Sequence, residues 1–255
     1  MLSQSAILTN ASDALANVAI GDRAFQMCWQ LTSVTIPSSV TRIGEYAFNG
    51  CIKMKTLQIP ASVKQLGCEA VGGCTELSGT VTIPEGVKKI EVGLFDFCEK
   101  LTAVQLPSTI TSIESNAFSD CHSLKSIVIP NKVKSIGTFA FARCEALKTI
   151  NIPDGLEIID DRAFRESGLT TVTIPATCLY VGDYAFNGCV AVSCVCHSEP
   201  YGCGVEHFNR CCSVVDELVD HERDEELCLE VLHVLRVRKE LLEVCFAVLE
   251  VVRSE

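Results

Sequence analysis

The chain has 255 residues, 48% of them hydrophobic and 6% aromatic, with a net charge of −11. That length and apolar share support a packed core of one or two domains and exclude a disordered chain. The acidity argues against a nucleic-acid backbone or an anionic membrane as partner, and no stretch supplies the ~18 uncharged apolar residues of a membrane span.

The N-terminal 25 residues contain neither a basic segment nor a long apolar run, which argues against a secretory signal. Two organisations remain open: a complete chain located in the cytoplasm, or a fragment of a larger cell-surface protein. The first recognisable repeat letters, residues 20–28, read Ile-Gly-Asp-Arg-Ala-Phe-Gln-Met-Cys. They are the back half of a unit whose front half is not evident, which favours the fragment.

From residue 31 to 189 one unit recurs. Its clearest copy, residues 124–144, has the skeleton L-x-x-I-x-I-P-x-x-V-x-x-I-G-x-x-A-F-x-x-C. Pro37, Pro60, Pro84, Pro107, Pro130, Pro153 and Pro175 mark intervals of 23, 24, 23, 23, 23 and 22 residues. The long interval reflects an extra residue near Ser78-Gly79, and the short one a residue lost near Ser167-Gly168-Leu169, where Ser167 replaces Cys. A fixed period of this length with this apolar pattern predicts a solenoid.

Each letter has a physical reading. Val34-Thr35-Ile36 and its copies alternate apolar and polar, which predicts a short strand with one face buried, stacked into a parallel sheet. Proline has no N–H to give and ends the strand. Val40, Ile43 and their equivalents point inward from a second short extended segment. Gly44, Gly67, Gly137 and Gly182 follow the Ile; Glu91, Glu114 and Asp160 stand there in other copies, so that turn does not depend on positive φ. Ala-Phe opens a helical or 3-10 turn, in which a small Ala permits close approach and Phe fills the interior. In residues 68–74 Val71 replaces Phe beside Gly72-Gly73, and a loose turn is expected there.

After Cys189 the pattern decays. Val192 and Val195 continue it, His197 and Ser198 replace Ile-Pro, and residues 190–212 read as a degenerate closing coil over the open end of the core. The solenoid therefore spans 1–212. Residues 213–255 are a separate tail with 12 acidic and five basic side chains, a net −7 against −4 for everything before. Its apolar residues recur at helical spacing, and its acidic start suits a helix N-terminus. An amphipathic helix of this kind caps the solenoid or self-associates.

The skeleton, carried for instance by Leu31, Val34, Ile36-Pro37, Val40, Ile43-Gly44, Ala47-Phe48 and Cys51, resembles the BspA type of leucine-rich repeat over residues 20–189. The resemblance implies a leucine-rich-repeat solenoid, with short parallel strands on one side and turns or 3-10/helical turns on the other, followed here by the helical segment. It also implies protein binding and adhesion, since members are commonly large surface proteins of bacteria and protists.

Candidate chemistry is sparse. Seven of the 16 Cys, at 28, 51, 74, 98, 121, 144 and 189, share one repeat position and form a column. Small buried thiols with a weak S–H donor explain them better than a metal or redox ladder. Cys194, Cys196, His197, Cys203 and His207 are the richest mixed cluster. Zinc ligation, a disulfide-bonded cap and a merely Cys-rich coil all remain open, since the spacing holds no strict C-x-x-C pair. His122 has no nucleophile or carboxylate placed with it, and no Gly-rich loop has the context of a phosphate cradle. No cofactor is implied, and the reading is of a binding protein rather than an enzyme. The expected binding surface is the outward strand column Thr35, Gln58, Thr82, Gln105, Val128, Asn151 and Thr173, an almost uncharged platform for a polypeptide or a glycan. Beside it runs a basic stripe, Arg42, Lys64, Lys88, Lys89, Lys132 and Lys134. Such a row is ordinarily a solvated charge line, but it also suits an acidic partner or the acidic tail.

Overall fold

In the computed structural model the described residues are 18–189 and the backbone of strands Ser5–Ile7 and Ser193–Cys196. They form a parallel-strand solenoid of about seven turns. The helical tail, the boundary at 212/213 and most of the closing coil lie outside these residues.

Each turn contributes two strands. A front sheet contains Ser33–Thr35, Thr56–Leu57, Gly79–Thr82, Leu101–Gln105, Ser126–Ile127 and Thr171–Ile174. The turn between the last two joins them through single bridges, Val128 to Asn151 and Thr149 to Thr171. The expected second extended segment is a sheet in its own right. This back sheet contains Val40–Ile43, Gln65–Leu66, Lys89–Ile90, Ser112–Ile113, Ser135–Ile136, Ile158–Ile159 and Tyr180–Val181. All pairings are parallel, with register shifts only at Val18/Ala19 and Gly79/Thr80 among the described residues, and Ile lies on Ile from Ile113 to Ile136 to Ile159. Val40, Val63, Val87, Ile110, Val133 and Leu156 are all buried, as are the Ile positions three residues on.

Two readings at the ends of the repeat need correction. The missing front half of the first unit is Ser5–Ile7, in register with Ser33–Thr35. It lacks the proline and lies farther from Ile20 than the repeat spacing allows, so the pattern did not expose it. At the other end the front ladder continues through Ser193–Cys196, but Val195 pairs with Thr173, not Val172. Cys194 and Cys196 take the Val172 and Ile174 registers. A one-residue shift exchanges the two faces of a strand.

The third side consists of turns, and none of the described residues there is α- or 3-10-helical. Two residues per turn are left-handed, for example Tyr46 (φ 55°) and Gly50 (φ 70°), Asn116 and Asp120, Phe139 and Arg143. The effect is to aim successive N–H groups alternately. Tyr46, Phe48 and Gly50 donate to Cys68, Ala70 and Gly72 of the next turn, while Asn49 and Cys51 close i to i−3 bonds within their own turn. A helix would keep every bond local, whereas this arrangement binds neighbouring turns. Each non-glycine left-handed residue costs on the order of 1 kcal/mol, comparable to the net worth of the inter-turn bond it aims. Gly137, by contrast, is not left-handed. A Cβ there would stand 2.6 Å from the Ser115 backbone nitrogen, so the glycine serves close approach.

Inside, the phenylalanines stack. Phe95, Phe118, Phe141, Phe164 and Phe186 follow one another at 5.1–5.6 Å between centroids, with interplanar angles of 2–12°. Phe25 and Phe48 form a separate pair at 5.3 Å. Val71 separates the two groups. The expected looseness of its turn is not seen in the bonding: Glu69, Val71 and Gly73 all donate to the next turn, at 2.8, 3.2 and 2.7 Å. Leu94, fully buried where other turns have Ala, lies opposite Val71 in this ladder and restores side-chain volume.

Truncating Phe141, which has a ring on each side, is expected to lower stability by about 3–5 kcal/mol in urea unfolding of Phe141→Ala.

Candidate functional site: the front sheet and its margins

The inward front-strand residues Val34, Leu57, Val81, Val104, Ile127, Ile150 and Val172 are buried, which forces their neighbours outward. Thr35, Gln58, Thr82, Gln105, Val128, Asn151 and Thr173 are all exposed. Backbone pairing sets Thr82 opposite Gln105 and Val128 opposite Asn151 along this column. The Thr82 hydroxyl donates to Gln105 Oε1 at 2.8 Å. Val128 is 71% exposed, an apolar group on a face otherwise made of hydroxyls and amides.

Around it lies an open depression of about 560 Å³. Its floor and rim include Ala103, Leu106, Pro130, Glu85 and Ser108, which the sequence pattern did not single out, alongside Gln105 and Val128. Ala103 is the departure that could have pointed to it, since it interrupts a row of Ser and Thr in register from Thr80 to Ser126. The Glu85 carboxylate is occupied, accepting from the Ser108 N–H (3.0 Å) and hydroxyl (3.2 Å). Such a surface offers neutral hydrogen-bonding groups and one apolar contact.

The basic stripe is mostly engaged within the chain. Arg42 pairs with Asp22 of the preceding turn at 2.8 Å. Lys89 pairs with Glu114 at 3.2 Å and Lys134 with Glu157 at 2.8 Å, each in the following turn. Lys64 Nζ donates to the carbonyls of Ala61 (2.9 Å) and Glu85 (2.7 Å). Lys88 and Lys132 are exposed. Exposed pairs of this kind are worth ~0.5 kcal/mol each.

The cysteine column is structural. Cys74 Sγ donates to the Phe48 carbonyl at 3.3 Å, Cys121 to Phe95 at 3.1 Å and Cys144 to Phe118 at 3.2 Å. Each acceptor carbonyl also receives the N–H of the Cys in its own turn, Cys51 N–H at 3.1 Å on Phe48 for instance. Burial pushes these thiols well above their ordinary range, Cys51 to about 12. Cys194 and Cys196 lie in the strand Ser193–Cys196; His197, Cys203 and His207 are outside the described residues. No group of three or more metal-ligating side chains is assembled among the described residues. His122 Nδ1 lies 3.1 Å from the Arg143 carbonyl and, against expectation, 3.6 Å from a carboxylate oxygen, Glu145 Oε1.

One carboxyl on the turn side is out of balance. Asp96 Oδ1 is buried with no hydrogen-bond partner. Burial foremost, with the neighbouring Asp120 and Glu69 charges, raises its pKa to about 6, against an opposing bond from Ser119. Asp120 itself is held by Ser119 Oγ (2.8 Å) and Arg143 (3.2 Å).

Two outcomes are expected. Cys98, Cys121 and Cys144 should resist iodoacetamide at pH 8 in the folded protein and react fully in urea, read by mass spectrometry of the peptides. Because the folded-state pKa of Asp96 lies above its unfolded value, its contribution is intact below pH 4 and is lost as pH rises through 6. Asp96→Asn should therefore flatten the fall in stability between pH 4 and 7. It should gain about 1 kcal/mol at pH 7, a figure already discounted for partial solvent exposure.

With this geometry in hand, comparison with known proteins is informative. The family model described as BspA type leucine rich repeat region matches in six copies, over residues 18–81 and 73–193. The chain is similar to a leucine-rich repeat protein of Bacteroides ovatus, at 29% identity and a TM-score of 0.56, over 70% of this chain and 59% of that one. It is also similar to a leucine rich cell surface protein of Faecalibacterium prausnitzii, at 29% identity and a TM-score of 0.50, over 76% of this chain and 69% of the other. The chain thus spans less than two thirds of the length of the Bacteroides protein. No curated protein matches it. Repeats of this kind serve in protein interaction or surface adhesion and are generally non-enzymatic. No helix among the described residues is long and apolar enough to cross a membrane.

Proposed function

We propose, from the premise that this chain belongs to the BspA type leucine rich repeat family, that it is a non-enzymatic binding module whose front sheet receives a protein partner. The observation that carries this reading is the open depression of about 560 Å³ on the front face, which sets Val128 beside the hydroxyls and amides of an uncharged column. It is large enough to receive a partner side chain. A polypeptide fits best, because its amides match Gln105, Asn151 and the threonines. A glycan shares the hydrogen bonding but makes less use of Val128. The tail, 213–255, serves in this scheme as a cap or a self-association element.

A second reading, an adhesive segment of a larger cell-surface protein, draws support from the similarity to the Faecalibacterium surface protein and from the partial coverage of the Bacteroides one. Labelling of intact source cells with an impermeant amine reagent separates the two, since the adhesive segment is labelled and an internal scaffold is not.

Affinity capture with the wild-type chain, a Thr82→Arg/Gln105→Arg/Val128→Arg variant and a Lys88→Glu control tests the surface. The front-sheet variant should lose at least about tenfold in partner recovery, with the control unchanged and circular dichroism identical for all three. Equal recovery by the front-sheet variant would refute the proposed surface.

A further inference from the structure

Four departures from the repeat coincide at one junction, between the turn ending at Cys74 and the turn that follows. The extra residue falls there, with Gly79 left-handed (φ 79°). The phenylalanine stack stops there, at Val71. No strand pairing among the described residues joins Thr56–Leu57 to Gly79–Thr82 in the front sheet, and none joins Gln65–Leu66 to Lys89–Ile90 in the back sheet. The N–H groups of Gly67, Glu114, Gly137 and Asp160 each donate to the preceding turn's Ile, but Glu91 has no counterpart bond.

What still crosses the junction is concentrated on one side. The turn-side bonds from Glu69, Val71 and Gly73 are intact, as are those from Glu76 to Ile52 (3.2 Å) and Ser78 to Lys55 (3.1 Å). At the opposite corner, among the described residues, a single bond bridges the gap, Lys64 Nζ to the Glu85 carbonyl at 2.7 Å. Gly86 makes room for that side chain, since a Cβ there would stand 2.7 Å from Lys64 Cδ.

We propose that this junction is a hinge: the solenoid consists of two stacked blocks that pivot on the turn side and open between their sheets, with Lys64 as the clamp. Thr35 and Gln58 then belong to one plate of the front face, and Thr82 through Thr173 to another. Elsewhere the back ladder and the stacked rings run on from turn to turn, and the front strands are joined by ladders or, between residues 128 and 171, by single bridges. Bistability of packed interfaces, not uniform bending, is the usual form of such motion.

The column supplies its own control, because Thr35 to Gln105 and Gln105 to Thr173 each span three turns. Spin labels placed at these exposed positions through a non-canonical amino acid, which spares the native thiols, give two distance distributions by double electron–electron resonance in the full chain. A hinge makes the Thr35–Gln105 distribution about twofold broader than Gln105–Thr173. Lys64→Met broadens the first further and leaves the second unchanged. Equal widths in the unsubstituted background would overturn the hinge, and an unchanged first distribution in Lys64→Met would remove Lys64 as its clamp.

Discussion

The structure depends on the sharing of one carbonyl. At Phe25, Phe48, Phe95 and Phe118 the carbonyl accepts the backbone N–H of its own turn's Cys and the thiol of the next turn's Cys, as Phe118 accepts Cys121 N–H and Cys144 Sγ; at Phe164 the pair is Ser167 N–H and Cys189 Sγ. A buried carbonyl has two lone pairs and no water to satisfy them, so both donors matter. Cysteine is small enough to sit beneath the Phe ring and, unlike Ala, still brings a donor. The Phe N–H meanwhile donates forward to the next Ala carbonyl, and the ring lies on the next ring. Spacing, register and core filling are therefore set together, one turn at a time.

That constraint sorts the remaining positions. Apolar letters are consumed by stacking, and the thiols with them. Carboxylates and amines on the back and turn sides pair largely across neighbouring turns, Arg143 with both Asp120 and Glu166 for example. The outward front column is what is left uncommitted. Its side chains are neutral and its one lateral bond, Thr82 to Gln105, joins two of its own members. A solenoid that binds through this column spends none of its cohesion in doing so.

Most of the architecture was legible because it is periodic. The proline intervals, the alternation of the first strand and the single Cys position each report a stacked residue, and the inward Val, Ile and Phe are buried as their spacing required. What was illegible lies in the x positions. The left-handed residues are Tyr46, Phe139, Arg143 and Arg162 as well as glycines, because their backbone is dictated by the bond to the next turn and not by side-chain preference. Ser5–Ile7 escaped because only its pairing, not its composition, marks it. The turn at Val71 keeps its bonds to the next turn, and the break lies instead in the strand pairing of the two sheets, which single-turn reasoning cannot see. The ion pairs of Arg42, Lys89 and Lys134 were illegible because their carboxylates sit about a full turn away in sequence. The front column was found by alternation alone, whereas the depression beside Val128 needed the third dimension to bring Leu106 and Pro130 to one place.

Native-state hydrogen exchange on the turn side tests the stacking most directly. The amides of Phe118, Phe141 and Phe164 donate to Ala140, Ala163 and Ala185 of the following turns at 2.7–2.8 Å. If stacking holds the fold, these three exchange only when the stack opens, with one common protection that falls in parallel as urea is added. Exchange of the three at the rates of exposed turn amides, or at unrelated rates insensitive to urea, would contradict it.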